Sequence, residues 1–338
     1  MKVTYKIFEL PFKHPFTISK ATKSIQSTLV VELDYFGFKG YGEAPAISYY
    51  NITAEQMAID LEKKKKWVEQ FSFSDPERYW HYLHHLFPDN SFLVCALDMA
   101  GWDLFGKIKK KQLHEIWQLD INNTPLTDFT IGIADMQTMI NKIKEQPWPI
   151  YKIKVGFEKD IETIAELRKH TDAVFRVDAN AAWDVETAMH KIPLLKDLGV
   201  ELVEQPLAKD NWEGMKVLCQ HSTLPLFADE TCVSENDVLK CKDYFHGINI
   251  KLTKCGGITP AKRMITHARS LDLKIMLGCM NESTIGTAAI AQLAPLVDDV
   301  DMDGTLLQTQ TNAHGVQFQN GSYVYNNLPG LGIESVMM

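Results

Sequence analysis

The sequence predicts an α/β protein built on an eight-stranded β/α barrel, with a smaller α+β unit in front of it. Three observations carry that prediction. Beyond about residue 120, short β-branched or apolar runs alternate with amphipathic helical patterns, the grammar of a parallel sheet. Those runs recur at intervals of 22 to 27 residues, each enough for one strand, one helix and two loops. No G-x-G-x-x-G dinucleotide loop accompanies them, so a closed barrel fits better than an open doubly wound sheet. At 338 residues the chain can bury a full core of this kind.

The elements follow in order. KVTYKIFEL and STLVVELDY alternate with period two, and the turn Phe36-Gly37-Phe38-Lys39-Gly40 leads to a short strand reaching Glu43, which makes an antiparallel meander. Thr53, with Glu55 soon after it, caps the first of three helical patterns, TAEQMAIDLEKKKKWVEQF, DPERYWHYLHHLF and SFLVCALDMAGWDLFGKIKK. Asp, Asn and Pro cluster from Asp120 to Pro125 and mark the boundary. Residues 1–120 are therefore expected as the α+β unit and 121–311 as the barrel, with HGVQFQNGSYVYNN in 312–338 returning as a hairpin to the first unit. Eight strand candidates fill the barrel: LTDFTIG, YKIKV, VFRVD, ELVEQ, LPLFADE, GINIK, LKIMLG and DVDMDG.

Composition narrows the function. With 45% hydrophobic and 23% charged residues the chain is an ordinary globular one, not disordered or fibrous. Apolar stretches break well before the roughly 18 residues a membrane helix needs. The first residues alternate instead of forming a signal-peptide core, so a cytoplasmic location is expected. Lys and Arg number 35 against 43 Asp and Glu, a net charge of -8 that repels nucleic acid. The lysine runs Lys63 to Lys66 and Lys107 to Lys111 sit in helical patterns and read as solvated faces. Cys95, Cys219, Cys232, Cys241, Cys255 and Cys279 show no zinc spacing and read as reduced thiols, mostly buried.

Barrel active sites lie at the C-terminal ends of the strands, so polar residues closing apolar strands are the candidates. Asp178, Glu204 and Asp229 end three successive strands, and three converging carboxylates call for a hard cation, Mg2+ or Mn2+. Lysines flank them. Lys152 and Lys154 share one face of the preceding strand because side chains alternate, and Lys251 ends the strand after. Two neighbouring ammonium groups are expected to lower each other's proton affinity and yield a general base. Lys254 is ranked as loop, beside Cys255-Gly256-Gly257.

At these residues the sequence resembles the enolase superfamily, specifically its muconate-lactonizing-enzyme subgroup, over the whole chain. The subgroup's K-x-K, D-x-N, E-x-P, D-E and K-x-x-K-x-G-G stand here in order as Lys152/Lys154, Asp178/Asn180, Glu204/Pro206, Asp229/Glu230 and Lys251/Lys254 with Gly256-Gly257. The resemblance implies a modified (β/α)8 barrel of (β/α)7β type under an α+β capping domain. It implies one Mg2+ per subunit, with Mn2+ as an alternative, held by Asp178, Glu204 and Asp229. Lys154 and Lys251 become acid/base catalysts on opposite faces of the substrate, assisted by Lys152. Within the subgroup, Asp301-Met302-Asp303 resembles the dipeptide epimerases, whose paired carboxylates hold the substrate's free ammonium. Thr130 and the loop residues Cys279, Met280 and Asn281 match further substrate contacts.

The loop from Phe16 to Gln26 is expected to cover the substrate side chain. It carries Lys20, Ala21 and Lys23 where alanyl-glutamate enzymes often place an arginine, so the second residue is open between glutamate and a small or apolar one. The expected protein is a homo-oligomeric isomerase acting on a dipeptide, with no nucleic-acid or membrane partner. The runner-up keeps the fold and acts as an o-succinylbenzoate synthase, an N-acyl amino acid racemase or a cycloisomerase. A Mg2+-dependent phosphoryl-transfer enzyme would leave the lysines unexplained and lacks a phosphate loop. A peptide-binding barrel without catalysis would leave the charges at the mouth without a role.

Overall fold

The computed structural model describes residues 1–19 and 21–338; Lys20, one of the residues weighed above, lies outside the described residues. Strands β1 (Lys2–Ile18), β2 (Ala21–Tyr35) and β3 (Phe38–Pro45) form an antiparallel sheet in that order. Phe36 and Gly37 both take positive φ (52° and 84°), the two-residue turn whose twist matches the strands it joins. Strands β1 and β2 run on beyond β3 as a two-stranded arm, with a register irregularity between Pro11 and Phe16. The segment expected as a covering loop is thus the tip of a hairpin. Period-two alternation continues through FKHPFTI and ATKSIQS, and that favours strand over loop.

Helices α1 (Ala54–Gln70), α2 (Pro76–Leu86) and α3 (Ser91–Lys109) follow, each opened by a side-chain cap: Thr53, Asp75 and Asn90. Almost every side of α3 is apolar because it lies between the small sheet and the barrel. Gly42 permits the contact with the sheet, since a Cβ there would stand 2.0 Å from the Ala96 carbonyl oxygen.

The barrel strands are β4 (Phe129–Ile131), β5 (Ile150–Lys154), β6 (Val174–Asp178), β7 (Val200–Glu204), β8 (Leu226–Ala228), β9 (Gly247–Lys251), β10 (Lys274–Gly278) and β11 (Asp299–Asp301). All are parallel and pair in sequence order. The circle closes where Thr127 bridges Val300 and the Asp128 amide donates to the Val300 carbonyl at 3.2 Å. Helices follow β4 through β10, whereas β11 leads into the 3-10 turn Gly304–Leu307, which makes the barrel a (β/α)7β one. Inside it, Leu202, Phe227 and Met276 form a small apolar layer, and the larger core lies between strands and helices.

The C-terminal hairpin forms as expected, pairing Gln317–Gln319 with Ser322–Val324. Its Gly321 carbonyl accepts from the Thr127 amide at the start of the barrel, and Tyr325 Oη donates to Ala291 in the last barrel helix. The chain reaches the N-terminal unit further on, where the Leu331 amide donates to Asp103 of α3 at 2.9 Å. Among the described residues, no helix is long and apolar enough to cross a membrane, and all six cysteines are free thiols.

Candidate active site

Register brings the strand-end residues together. Lys154 pairs across the sheet with Asp178 and Asp178 with Glu204, while Gly278 is flanked by Lys251 on one side and Asp301 on the other. Asp229 follows β8 directly, and Asp303 opens the turn after β11. Lys152 and Lys154 both point into the barrel, whereas Ile153 between them packs into the outer core.

Lys152 Nζ sits at the centre, 2.6 Å from Asp301, 2.9 Å from Glu204 and 3.4 Å from Asp178. Lys154 Nζ donates to Asp178 at 2.6 Å and Lys251 Nζ to Asp229 at 2.7 Å. The two lysines therefore approach the acidic cluster from different members of it. Carboxylate oxygens of Asp178, Glu204 and Asp229 all lie within 4.8 Å of one another. Glu204 is fully buried and its Oε2 meets the Lys152 ammonium, while Glu230 Oε2 and Asn180 Oδ1 beside it are without hydrogen-bond partners. Converging oxygen donors with an unmet acceptor fit a hard divalent cation.

The electrostatics correct one expectation. Lys152 does not lose its hold on its proton, because carboxylates surround it. Burial opposes the charge on Lys152, yet Asp301, Glu204 and Asp178 outweigh it and hold its proton affinity well above the ordinary lysine value. Lys251 is held high in the same way, chiefly by Asp229 against burial. Burial pushes the Glu204 carboxyl up to about 7, and burial with the neighbouring Asp301 does the same to Asp303.

A cavity of about 270 Å3 opens above these charges. Lys154, Lys251, Asp229, Asp301, Asp303 and Thr130 line its barrel side, together with Cys279, Met280 and Asn281 of the loop after β10. Phe16, Ile18, Ala21 and Lys23 from the β1–β2 arm close the other side with Ile47 and Tyr50. Asp303 accepts from the Thr130 amide at 2.6 Å, which fixes its orientation, while Cys279 Sγ lies 3.8 Å from its other oxygen. Lys152, Asp178 and Glu204 lie beneath the cavity floor.

Lys254 does not lie in a loop. It belongs to the short helix Leu252–Cys255, is buried, and donates to Asp229 Oδ1 and to the Asp229 carbonyl, both at 2.6 Å. The helix turns the chain back toward β8, so the side chain reaches Asp229 from behind. Its spacing three residues after Lys251 was the available signal. Sequence reasoning also passed over Asn249, whose amide donates to Glu204 at 2.9 Å, and Tyr50, whose hydroxyl has no partner.

Comparison with known proteins shows the family and the fold. A family model described as enolase C-terminal domain-like matches residues 135–336. The L-Ala-D/L-amino acid epimerase of Flavobacterium johnsoniae is 49% identical, covering 98% of this chain and 99% of its own length. Among solved structures, a substrate-liganded L-Ala-D/L-Glu epimerase from Bacillus subtilis superposes with a TM-score of 0.94 at 26% identity over 100% of both chains. A dipeptide epimerase from Enterococcus faecalis, complexed with Mg and L-Leu-L-Tyr, gives a TM-score of 0.90 at 28% identity over 99% of both. Barrel and N-terminal sheet are those of the enolase superfamily. Within it the chain belongs to the dipeptide epimerases, which are isomerases.

Proposed function

We propose that this protein is a Mg2+-dependent epimerase of L-alanyl dipeptides, inverting the α-carbon of the second residue by 1,1-proton transfer. The observation that carries the reading is the placement of Lys154 on Asp178 and Lys251 on Asp229, on two sides of an acidic cluster that lies under a cavity bounded by Asp301 and Asp303. Residues 1–120 with 312–338 act as the capping domain and 121–311 as the catalytic barrel. The 49%-identical relative supports an L-alanyl first residue. Phe16, Ile18, Ala21 and Ile47 on the arm side support a small or apolar second residue, with Lys23 as the polar exception.

Asp178, Glu204 and Asp229 would hold one Mg2+ per subunit, with Mn2+ able to replace it. When bound there, the ion supplies positive charge for the substrate carboxylate. The α-proton of a carboxylate is a very weak acid, and each unit of mismatch with the base costs about 1.4 kcal/mol. Lys152 is already aimed at this region and answers the second negative charge that develops as the enediolate forms. One of Lys154 and Lys251 takes the α-proton and the other returns it on the opposite face. Asp301 and Asp303 orient the dipeptide by its free ammonium, with Asp303 fixed by the Thr130 amide.

The test is proton exchange in D2O followed by mass spectrometry. Each turnover leaves one deuterium at the α-carbon of L-alanyl dipeptides. Lys154→Ala and Lys251→Ala each stop epimerisation, by about 10²-fold or more, yet each still exchanges the proton of one epimer, a different one in each variant. If both variants exchange the same epimer, the opposed-face assignment fails. A preference for N-acyl amino acids or succinylbenzoate precursors over every free dipeptide installs the runner-up.

A further inference from the structure

Next to the catalytic cavity lies a second chamber of about 240 Å3. Phe16 of the arm and Thr130 of β4 line both. Apart from these shared residues, Phe12, Phe129, Leu306 and Leu307 give the chamber an apolar wall, and Lys142 supplies its most buried charge.

Lys142 belongs to the helix Met136–Glu145, whose Met139, Ile140 and Ile143 pack against the barrel. Its position three residues after Met139 carries its stem inward along that apolar stripe. The residue is only 9% exposed, yet its ammonium makes no hydrogen bond or ion pair with the described residues. Burial lowers its proton affinity, opposed by the charges of Glu145 and Asp135. Glu145, the nearest candidate partner on the same helix, instead lies 3.3 Å from His14 Nε2. Glu145 itself lines the chamber with Lys13, His14 and Gln146, so two lysines face one carboxylate there. The stem is buried while the ammonium, unpartnered by the protein, remains accessible on the wall of the chamber, where an anion can meet it.

We infer that this chamber is a binding site for a small organic carboxylate with an apolar body, held by Lys142 and independent of the catalytic lysines. An apolar cavity of about 150 Å3 takes up benzene, so this larger one has room for an aromatic ring and its carboxylate. Phe12, Phe16 and Phe129 offer ring faces, and the ammonium offers a charge-assisted hydrogen bond. A ligand seated there touches Phe16, which also walls the catalytic cavity.

The experiment titrates the full-length protein with 4-fluorobenzoate, followed by 19F NMR and calorimetry. Saturable binding is expected in the wild type and in Lys142→Arg. It weakens about 10-fold or more in Lys142→Met and in Lys142→Gln, both checked for folding by circular dichroism, because each removes the charged donor. The amide 4-fluorobenzamide is expected to bind at least about 10-fold more weakly than the acid to the wild type, for the same reason. Equal affinity for Lys142→Met and wild type overturns the assignment, as does equal affinity for acid and amide, or no binding at millimolar ligand.

Discussion

Both ends of the barrel bury a knot of opposite charges, and they use it differently. At the floor, the Arg176 guanidinium spans Asp128 at 3.2 Å, Asp299 at 2.5 Å and Glu201, so one cation joins strands β6, β7 and β11 to the residue just before β4. A planar fork with fixed donors suits a permanent joint. At the mouth, Lys152, Lys154, Lys251 and Lys254 face Asp178, Glu204, Asp229 and Asp301, four point charges against four. Flexible ammonium groups can each give up a partner, and Glu230 Oε2 beside them accepts no hydrogen bond. Asp128 Oδ1 at the floor is also without a partner, so open acceptors do not separate the two ends; access does, because Lys154, Asp229, Lys251 and Asp301 line the catalytic cavity.

The sharpest way to break this comparison is Glu204→Gln. It keeps volume and the barrel intact but removes one charge from the open cluster. Activity should fall by about 10³-fold or more, the scale of losing preorganised charge stabilisation, and calorimetry should show Mg2+ affinity reduced in parallel. A fully active Glu204→Gln enzyme, or full activity after exhaustive chelation, would show that the mouth is as structural as the floor.

Arg176→Met probes the other end. It leaves Asp128 and Asp299 facing each other without their cation, a change that typically costs about 3–5 kcal/mol. Chemical denaturation should register that loss, while the kcat of the molecules that remain folded should stay within a few-fold of wild type. A large drop in kcat with unchanged stability would reverse the assignment of the two ends.

Asp301 and Asp303 stand between these extremes. Asp301 is engaged with Lys152, whereas Asp303 keeps one oxygen free of strong donors. Replacing either by Asn should lower kcat/KM for free dipeptides about 30-fold or more. N-acetylating the dipeptide should do the same to the wild type, and the two losses should be far from additive because they remove one interaction. Additive losses would mean that these carboxylates hold Lys152 and not the substrate amine.

How much of this was legible depends on the distance over which a residue finds its partners. Asp178, Glu204 and Asp229 could be read because each ends a strand, and parallel register alone brings strand ends together. Periodicity placed Thr130, Asp301 and Asp303 at strand ends, but only the resemblance to the dipeptide epimerases gave them a role. Lys254 was missed since its reach depends on the short helix after β9, a feature of chain direction and not of pattern. Arg176 drew no notice because its partners come from the residue before β4, from β7 and from β11, and only barrel closure joins them. Nothing in the sequence marks Lys142, since its lack of a partner is visible only once Glu145 is seen beside His14.

Asp98 supplies the smallest and most specific test, because it is a carboxylate buried with no cation in hydrogen-bond contact. It lies on α3 and accepts from Thr259 Oγ1 at 2.7 Å and from the Thr259 amide at 3.0 Å, capping the barrel helix Ile258–Ser270 from across the inter-unit contact. Burial raises its carboxyl to about 7, beyond what those hydrogen bonds and the more distant Arg263 can offset. An unfolded aspartate loses its proton near pH 3.9, whereas the folded one keeps it until about pH 7. Across that window the folded state binds more protons than the unfolded, so stability falls as pH rises. Asp98→Asn cannot ionise and should flatten this part of the profile. Relative to the variant, the wild type should lose about 1–3 kcal/mol between pH 4 and pH 8, measured by denaturant titrations of both proteins at each pH. Because Glu204, Glu230, Glu282 and Asp303 are raised in the same direction, the difference between the two proteins isolates Asp98. Parallel profiles would show that burial does not raise this carboxyl and that its two Thr259 donors offset the desolvation.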